Sequence, residues 1–234
     1  MSGKSKPPAP HASTDVASFV KQVAATPVVR RPKDVGRLIF AMDATASREP
    51  TWDRASEIQA AMFQETGHLG GLEVQLVFYR GFGEFEASDW FADAKALLRR
   101  MTGVTCLAGR TRIERILKHA QREAKRGRVN ALVFVGDCVE EDPDRLGDLA
   151  GQLGLRGLPC FMFHEGGDPH ARRVFEQIAK LSGGVCCPFD LDSPRQLREL
   201  LSAAAVYAAG GRTALRELAE ARGGEIKRLT QRMS

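Results

Sequence analysis

The chain has 234 residues, 43% of them hydrophobic and 27% charged, with a formal net charge of +5. That is enough apolar material for one domain with tails, and it excludes a chain disordered throughout. The basic residues alternate with acids along helical stretches such as Arg112 to Arg128, and the aromatics fall mostly inside apolar runs. Neither pattern is the concentrated basic stripe with stacking rings that nucleic-acid binding calls for. No stretch approaches the ~20 apolar residues of a membrane span, and the first thirty residues contain no uninterrupted apolar signal segment. Five cysteines without a C-x-x-C pair suggest neither a zinc site nor a disulfide framework, so a soluble, reduced, cytoplasmic protein is expected.

Met1 to Ala12 is rich in Pro, Ser and Lys and is expected to be disordered. Thr14 or Asp15 then caps a short amphipathic helix with Val16, Phe19, Val20 and Val23 on one face, ended by Pro27 and Pro32; it is expected to dock on its own domain. From Gly36 the pattern turns to strand and helix alternation. Leu38 to Met42 reads as a strand covered on both faces, followed by a helix over Trp52 to Thr66 with Ala55, Ile58, Ala61 and Met62 facing inward. Leu72 to Tyr79, the turn Gly81-Phe82-Gly83 and a short arm Glu84 to Ala87 read as a hairpin at a sheet edge.

Helices are expected over Asp89 to Met101 and Thr111 to Arg126. Strands over Ala131 to Val135, Leu158 to Phe163 and Val185 to Phe189 then alternate with helices near Pro143 to Leu153, Pro169 to Leu181 and Pro194 to Ala209, each with Pro in its first turn. Gly210-Gly211 ends the last of these, leaving a polar helical tail interrupted by Gly223-Gly224. The predicted fold is α/β: a doubly wound, Rossmann-like, mostly parallel sheet with one antiparallel edge strand and helices on both faces. The domain spans 34–210, between a disordered tail with a short helix over 1–33 and the helical tail over 211–234.

The chemistry concentrates where strands end. Asp43, Thr45 and Ser47 follow the apolar run Leu38 to Met42 on alternate residues, which in an extended turn points all three to one side with the hard oxygens that Mg²⁺, Mn²⁺ or Ca²⁺ prefer. Ligands of open parallel sheets bind beyond the carboxyl ends of the strands, where strand order reverses. Asp137 follows Val133-Phe134-Val135-Gly136 as Asp43 follows its own strand, and Thr111, after Ala108-Gly109-Arg110, adds a hydroxyl at a helix start. Taken singly, these five are ordinary caps and turn formers. Together, two converging carboxylates with no lysine in either motif favour a cation, since buried charges are paired or bind metal. Arg48 and Arg110 are the residues that would neutralise the site instead; pointing outward, they would form a positive rim.

In this order and on these elements, the residues resemble the metal-ion-dependent adhesion site (MIDAS) of the von Willebrand factor A (vWA) domain family, with D-x-S-x-S, a distant Thr in a G-x-T loop and a further Asp after the fourth strand. Thr45 replaces the first Ser and keeps its hydroxyl, and Cys138 stands where the family commonly has Gly. The resemblance covers roughly 36–209. It implies a vWA-like fold and a Mg²⁺ or Mn²⁺ ion held by Asp43, Thr45, Ser47, Thr111 and Asp137, completed by an Asp or Glu of a protein partner. It further implies a stand-alone bacterial adaptor or assembly factor of the cytoplasm, with an ATPase-containing assembly among its possible partners. Glu140, Glu141 and Asp142 are expected to form the acidic approach to the following helix.

No enzymatic activity is expected. The rival is a haloacid-dehalogenase-like phosphatase using Asp43, but such enzymes need a general acid two residues on, where this chain has Thr45. Phosphate-loop and dinucleotide fingerprints are absent, and so is a nucleophile elbow. The five histidines show no ligand spacing; His164, at a strand end, is expected to be a surface or hydrogen-bonded residue.

Overall fold

The computed structural model describes residues 12–25, 35–189 and 194–232. The expected disordered tail up to residue 11 lies outside them, as do Pro27 and Pro32. Six strands form one sheet in the order β3-β2-β1-β4-β5-β6: β1 Gly36–Asp43, β2 Leu72–Arg80, β3 Glu84–Phe91, β4 Ala131–Gly136, β5 Cys160–Glu165 and β6 Val185–Phe189. All neighbours are parallel except β2 and β3. Strand order therefore reverses between β1 and β4, and their carboxyl ends lie side by side.

The core is split by the sheet. Leu38, Phe40 and Met42 of β1 face one side with Val133, Val135, Phe161 and Phe163, under α1 (Ala12–Ala25), α2 (Glu49–Ile58), α3 (Ala60–Thr66), α4 (Ala94–Thr102) and α8 (Pro194–Arg232). Ile39, Ala41, Val77 and Tyr79 face the other side, under α5 (Ile113–Arg126), α6 (Pro143–Leu155) and α7 (Pro169–Ser182). This two-sided burial accounts for the near-continuous apolar runs of the parallel strands. Phe19 of α1 meets Phe161 and Phe163 edge to face, so the amphipathic helix does pack on this domain. Along α8 the run Ala203 to Ala209 is buried, and its small side chains let the helix approach β1 so closely that a Cβ on Gly36 would lie 2.6 Å from the Ala208 carbonyl oxygen.

Several boundaries differ from the sequence reading. The first helix begins at Ala12, ahead of the expected caps. The helix expected over Trp52 to Thr66 starts at Glu49 and is divided at Gln59. The edge strand runs on to Phe91 through residues expected to be helical: Phe91 pairs with Val74 and Trp90 with Gln75, and α4 starts only after Asp93, whose carboxylate accepts from the Ala96 N–H at 2.8 Å. Past Gly210, α8 kinks at Gly211 (φ 70°, ψ −161°) and continues across Gly223 and Gly224, and Leu215 is fully buried. Asp142 and Asp168 cap α6 and α7 just ahead of Pro143 and Pro169. Among the described residues no helix is long and apolar enough to cross a membrane.

Candidate metal-ion site

The structure brings all five predicted residues together. Asp43, Thr45, Ser47, Thr111 and Asp137 line one cavity of about 280 Å³ at the carboxyl ends of β1 and β4, with Ala46, Ala108, Gly109, Cys138 and Glu140. Strand alternation is not what gathers the first three. The strand ends at Asp43 and the chain enters a 3₁₀ turn over Ala46–Arg48, closed by the Arg48 N–H donating to the Thr45 carbonyl at 2.9 Å. Asp43 Oδ1 accepts from the Thr45 N–H at 2.7 Å, fixing the carboxylate at the turn's entrance.

Thr111 arrives from across the sheet because its loop is stitched to the strand ends. The Leu107 N–H donates to the Ala44 carbonyl at 3.1 Å and the Gly81 N–H to the Leu107 carbonyl at 3.2 Å. Gly109 is required by that contact: a Cβ there would lie 1.9 Å from the Gly81 carbonyl oxygen. The acidic run after Asp137 locks the other end. Glu140 accepts from the Thr111 N–H at 2.9 Å, while the Thr111 hydroxyl accepts from the Glu140 N–H at 3.0 Å. Glu141 takes the first N–H groups of α5, from Ile113 and Glu114, each at 2.8 Å. Of the three acids expected to lead into the following helix, only Asp142 does so; Glu140 and Glu141 secure the start of α5 instead.

The charge balance is lopsided. Asp43 is 2% exposed, and burial raises its carboxyl above the ordinary range, with Asp137 adding to the rise and the N–H and hydroxyl of Thr45 opposing it. Arg48, named above as a neutraliser, does point inward. Its guanidinium lies 3.3 Å from Asp137 Oδ2, donates to Glu165 and, at 2.7 Å, to the Thr51 hydroxyl, and the Thr51 hydroxyl in turn donates to Glu165 at 2.6 Å. Arg110 is exposed. One arginine thus faces Asp43, Asp137 and Glu165, leaving negative charge in excess. Glu165 was missed by sequence reading, although the signal was the one that found the others: an acid ending an apolar strand.

The donor set suits a hard divalent ion, with carboxylates and hydroxyls only. Among the described residues no three His, Cys, Asp or Glu side chains converge as a metal cluster, so a cation here must rely on the hydroxyls. Cys138 also lines the cavity, and burial, then Asp137, Glu140 and Asp43, push its thiol up to about 11. Burial, followed by the charge on Asp43, holds the proton of the buried Tyr79 hydroxyl firmly in place. His164, expected at the surface or hydrogen-bonded, is buried; burial lowers the affinity of its ring for a proton and a contact with the Asp137 backbone opposes that.

No protein-family model matches the chain, and comparison with curated proteins finds no match. Solved structures do match in shape. The SpRpn10 VWA domain aligns with a TM-score of 0.55 at 14% identity, covering 76% of this chain and 98% of that one. A mussel byssus protein, proximal thread matrix protein 1 with a zinc-occupied MIDAS motif, aligns at 0.58 and 16% identity, over 76% of this chain and 47% of that one. An aerotolerance-related membrane protein from Bacteroides fragilis aligns at 0.52 and 14% identity, over 72% and 98%. At such identities the likeness is one of fold: this chain has the vWA-type α/β architecture.

Proposed function

We propose that the chain is a protein-recognition module that captures an Asp or Glu side chain of a partner through a divalent ion of the Mg²⁺ or Mn²⁺ type. The observation that carries this reading is the gathering of Asp43, Thr45, Ser47, Thr111 and Asp137 around one cavity with more negative charge than Arg48 balances. The zinc-occupied MIDAS of the mussel protein of like fold supports a divalent ion at the corresponding place. With mostly neutral hydroxyls around it, such an ion keeps positive charge to offer an anionic oxygen. The residues have separate tasks: Asp43, pinned by Thr45, supplies the buried charge; Thr111 is oriented by Glu140; Asp137 is the more accessible carboxylate, its side chain 30% exposed. Exposed Arg110 adds a positive rim that favours an acidic partner.

The proposal includes no chemical step, because Thr45 stands where a phosphatase would need its general acid. The role is that of an adaptor or assembly factor in the cytoplasm, with an ATPase-containing assembly as one class of partner; five free thiols agree with a reducing compartment.

Titration calorimetry with Mn²⁺ or Mg²⁺ tests the reading. Wild type is expected to bind one ion, and Asp43→Asn to lose it with its fold retained. At a ligand concentration 100 times Kd, binding stabilises wild type by about 2.7 kcal/mol. A wild type without a site, or an Asp43→Asn variant that binds as wild type does, overturns it. Pull-downs in Mg²⁺ and in EDTA then identify the partner.

A further inference from the structure

Arg48 is 3% exposed and lies against Asp137, one of the carboxylates that line the cavity. Its two contacts with acids are unequal. Toward Glu165, whose side chain is 10% exposed, Nη2 makes a close bond reinforced by the Thr51 hydroxyl, which accepts from Arg48 at 2.7 Å and donates to Glu165 at 2.6 Å. Toward Asp137, whose side chain is 30% exposed, Nη1 stands off at 3.3 Å, longer than a charge-assisted bond of full strength. One arm is closed and dry; the other is loose and open to the cavity.

We propose that Arg48 and the divalent ion compete for Asp137, and that Glu165 with Thr51 is the anchor that keeps the guanidinium neutralised when Asp137 turns to the ion. This rests on the metal reading above and deepens it. A carboxylate cannot give its charge fully to two cations, so Arg48 weakens the site for metal. Without an anchor, the exchange would leave a buried guanidinium unpaired beside an incoming cation, which is strongly unfavourable. Glu165 removes that obstacle. The same contacts place the first turn of α2, through Thr51, next to the exchange, so ion occupancy is linked to how tightly α2 holds the strand ends.

The two acids therefore have opposite relations to Arg48, which a merely structural role would not produce. Full-length wild type, Glu165→Gln and the double variant Arg48→Met/Glu165→Gln are titrated with Mn²⁺ alone, following free Mn²⁺ by electron paramagnetic resonance. Melting curves in EDTA check the fold. Loss of the anchor alone is expected to weaken Mn²⁺ binding about tenfold, and loss of the arginine together with its anchor to tighten it about tenfold over wild type, as close charges of this kind dictate. Arg48→Lys is the milder variant: a single ammonium cannot fork to both acids, so with the charge drawn to Glu165, tighter binding than wild type is again expected. If wild type binds Mn²⁺ but neither the double variant nor Arg48→Lys binds it more tightly, the competition is refuted and the metal reading stands. If none of the proteins binds, both fall.

Discussion

Glu141→Ala removes both acceptors from the first turn of α5 and tests whether the acidic run after β4 builds the site or only decorates it. Glu141 takes the Ile113 and Glu114 N–H groups, each at 2.8 Å. Loss of a neutral cap costs about 0.5–2 kcal/mol, and hydrogen bonds to a charged group contribute about 1.5–3 kcal/mol each. Half-burial of the side chain discounts that sum through solvent screening, which leaves about 2 kcal/mol. In a chain of this size that is a Tm lowered by about 4–8 °C. Urea denaturation followed by circular dichroism gives the free energy, and a thermal scan gives the Tm. Glu141→Gln, which keeps a neutral acceptor, should recover about half of the loss. Because α5 begins two residues after Thr111, Mn²⁺ affinity should fall alongside stability in Glu141→Ala. A melting temperature within about 1 °C of wild type would refute the capping role and the magnitude built on it.

Gly109→Ala should destabilise the chain by about 1–3 kcal/mol, the usual cost of overpacking, because its Cβ falls 1.9 Å from the Gly81 carbonyl oxygen and the loop must move. Since Gly109 lines the cavity, Mn²⁺ binding should weaken with it; calorimetry and a thermal scan that both match wild type would dismiss the close contact. His119 supplies a pH dependence. Burial lowers the affinity of its ring for a proton, and its Nε2 lies 2.8 Å from Gln75 Oε1, so the neutral form is the one that the fold holds. Below about pH 6.5 the unfolded chain takes up the proton first, so this contribution is complete above that pH and is lost as the pH falls. Urea midpoints at about pH 7 and 5 should differ less in His119→Gln than in wild type, and equal differences would count against it.

How much of this was legible in the sequence depended on the range of the contacts involved. Asp43 and Asp137 were found because a doubly covered parallel strand writes itself as an apolar run, and the residue that ends the run marks the edge of the sheet where ligands bind. Thr111 was found from the glycine of its loop and the helix behind it. Trp90 and Phe91 were misread because their spacing suits the helix that follows, whereas pairing with Gln75 and Val74 decides their state. Glu141 was assigned to the wrong helix for a similar reason: proximity in sequence favours α6, but its partners lie 28 and 27 residues earlier. Arg48 was recognised as a threat to the site without its resolution, because its anchor, Glu165, is 117 residues away.

The topology explains why such an anchor exists at all. Parallel strands place their carboxyl ends on one edge, so Asp43 at the end of β1, Asp137 just beyond β4 and Glu165 at the end of β5 collect along three adjacent strands. A single arginine on the turn after β1 contacts Asp137 and Glu165, the middle and far members of that row, and faces Asp43 at longer range, while Asp43, the most buried cavity-lining carboxylate, accepts from the Thr45 N–H. Negative charge is therefore compensated on the β5 side and left over on the β1 side, which is where Thr45, Ser47 and Thr111 add their oxygens. On the metal reading proposed above, the position of Arg48 would direct a cation toward Asp43, and substitutions of Asp43 and Glu165 should not be interchangeable: the first removes the charge that an ion would meet, and the second turns an internal counterion into a repulsive one.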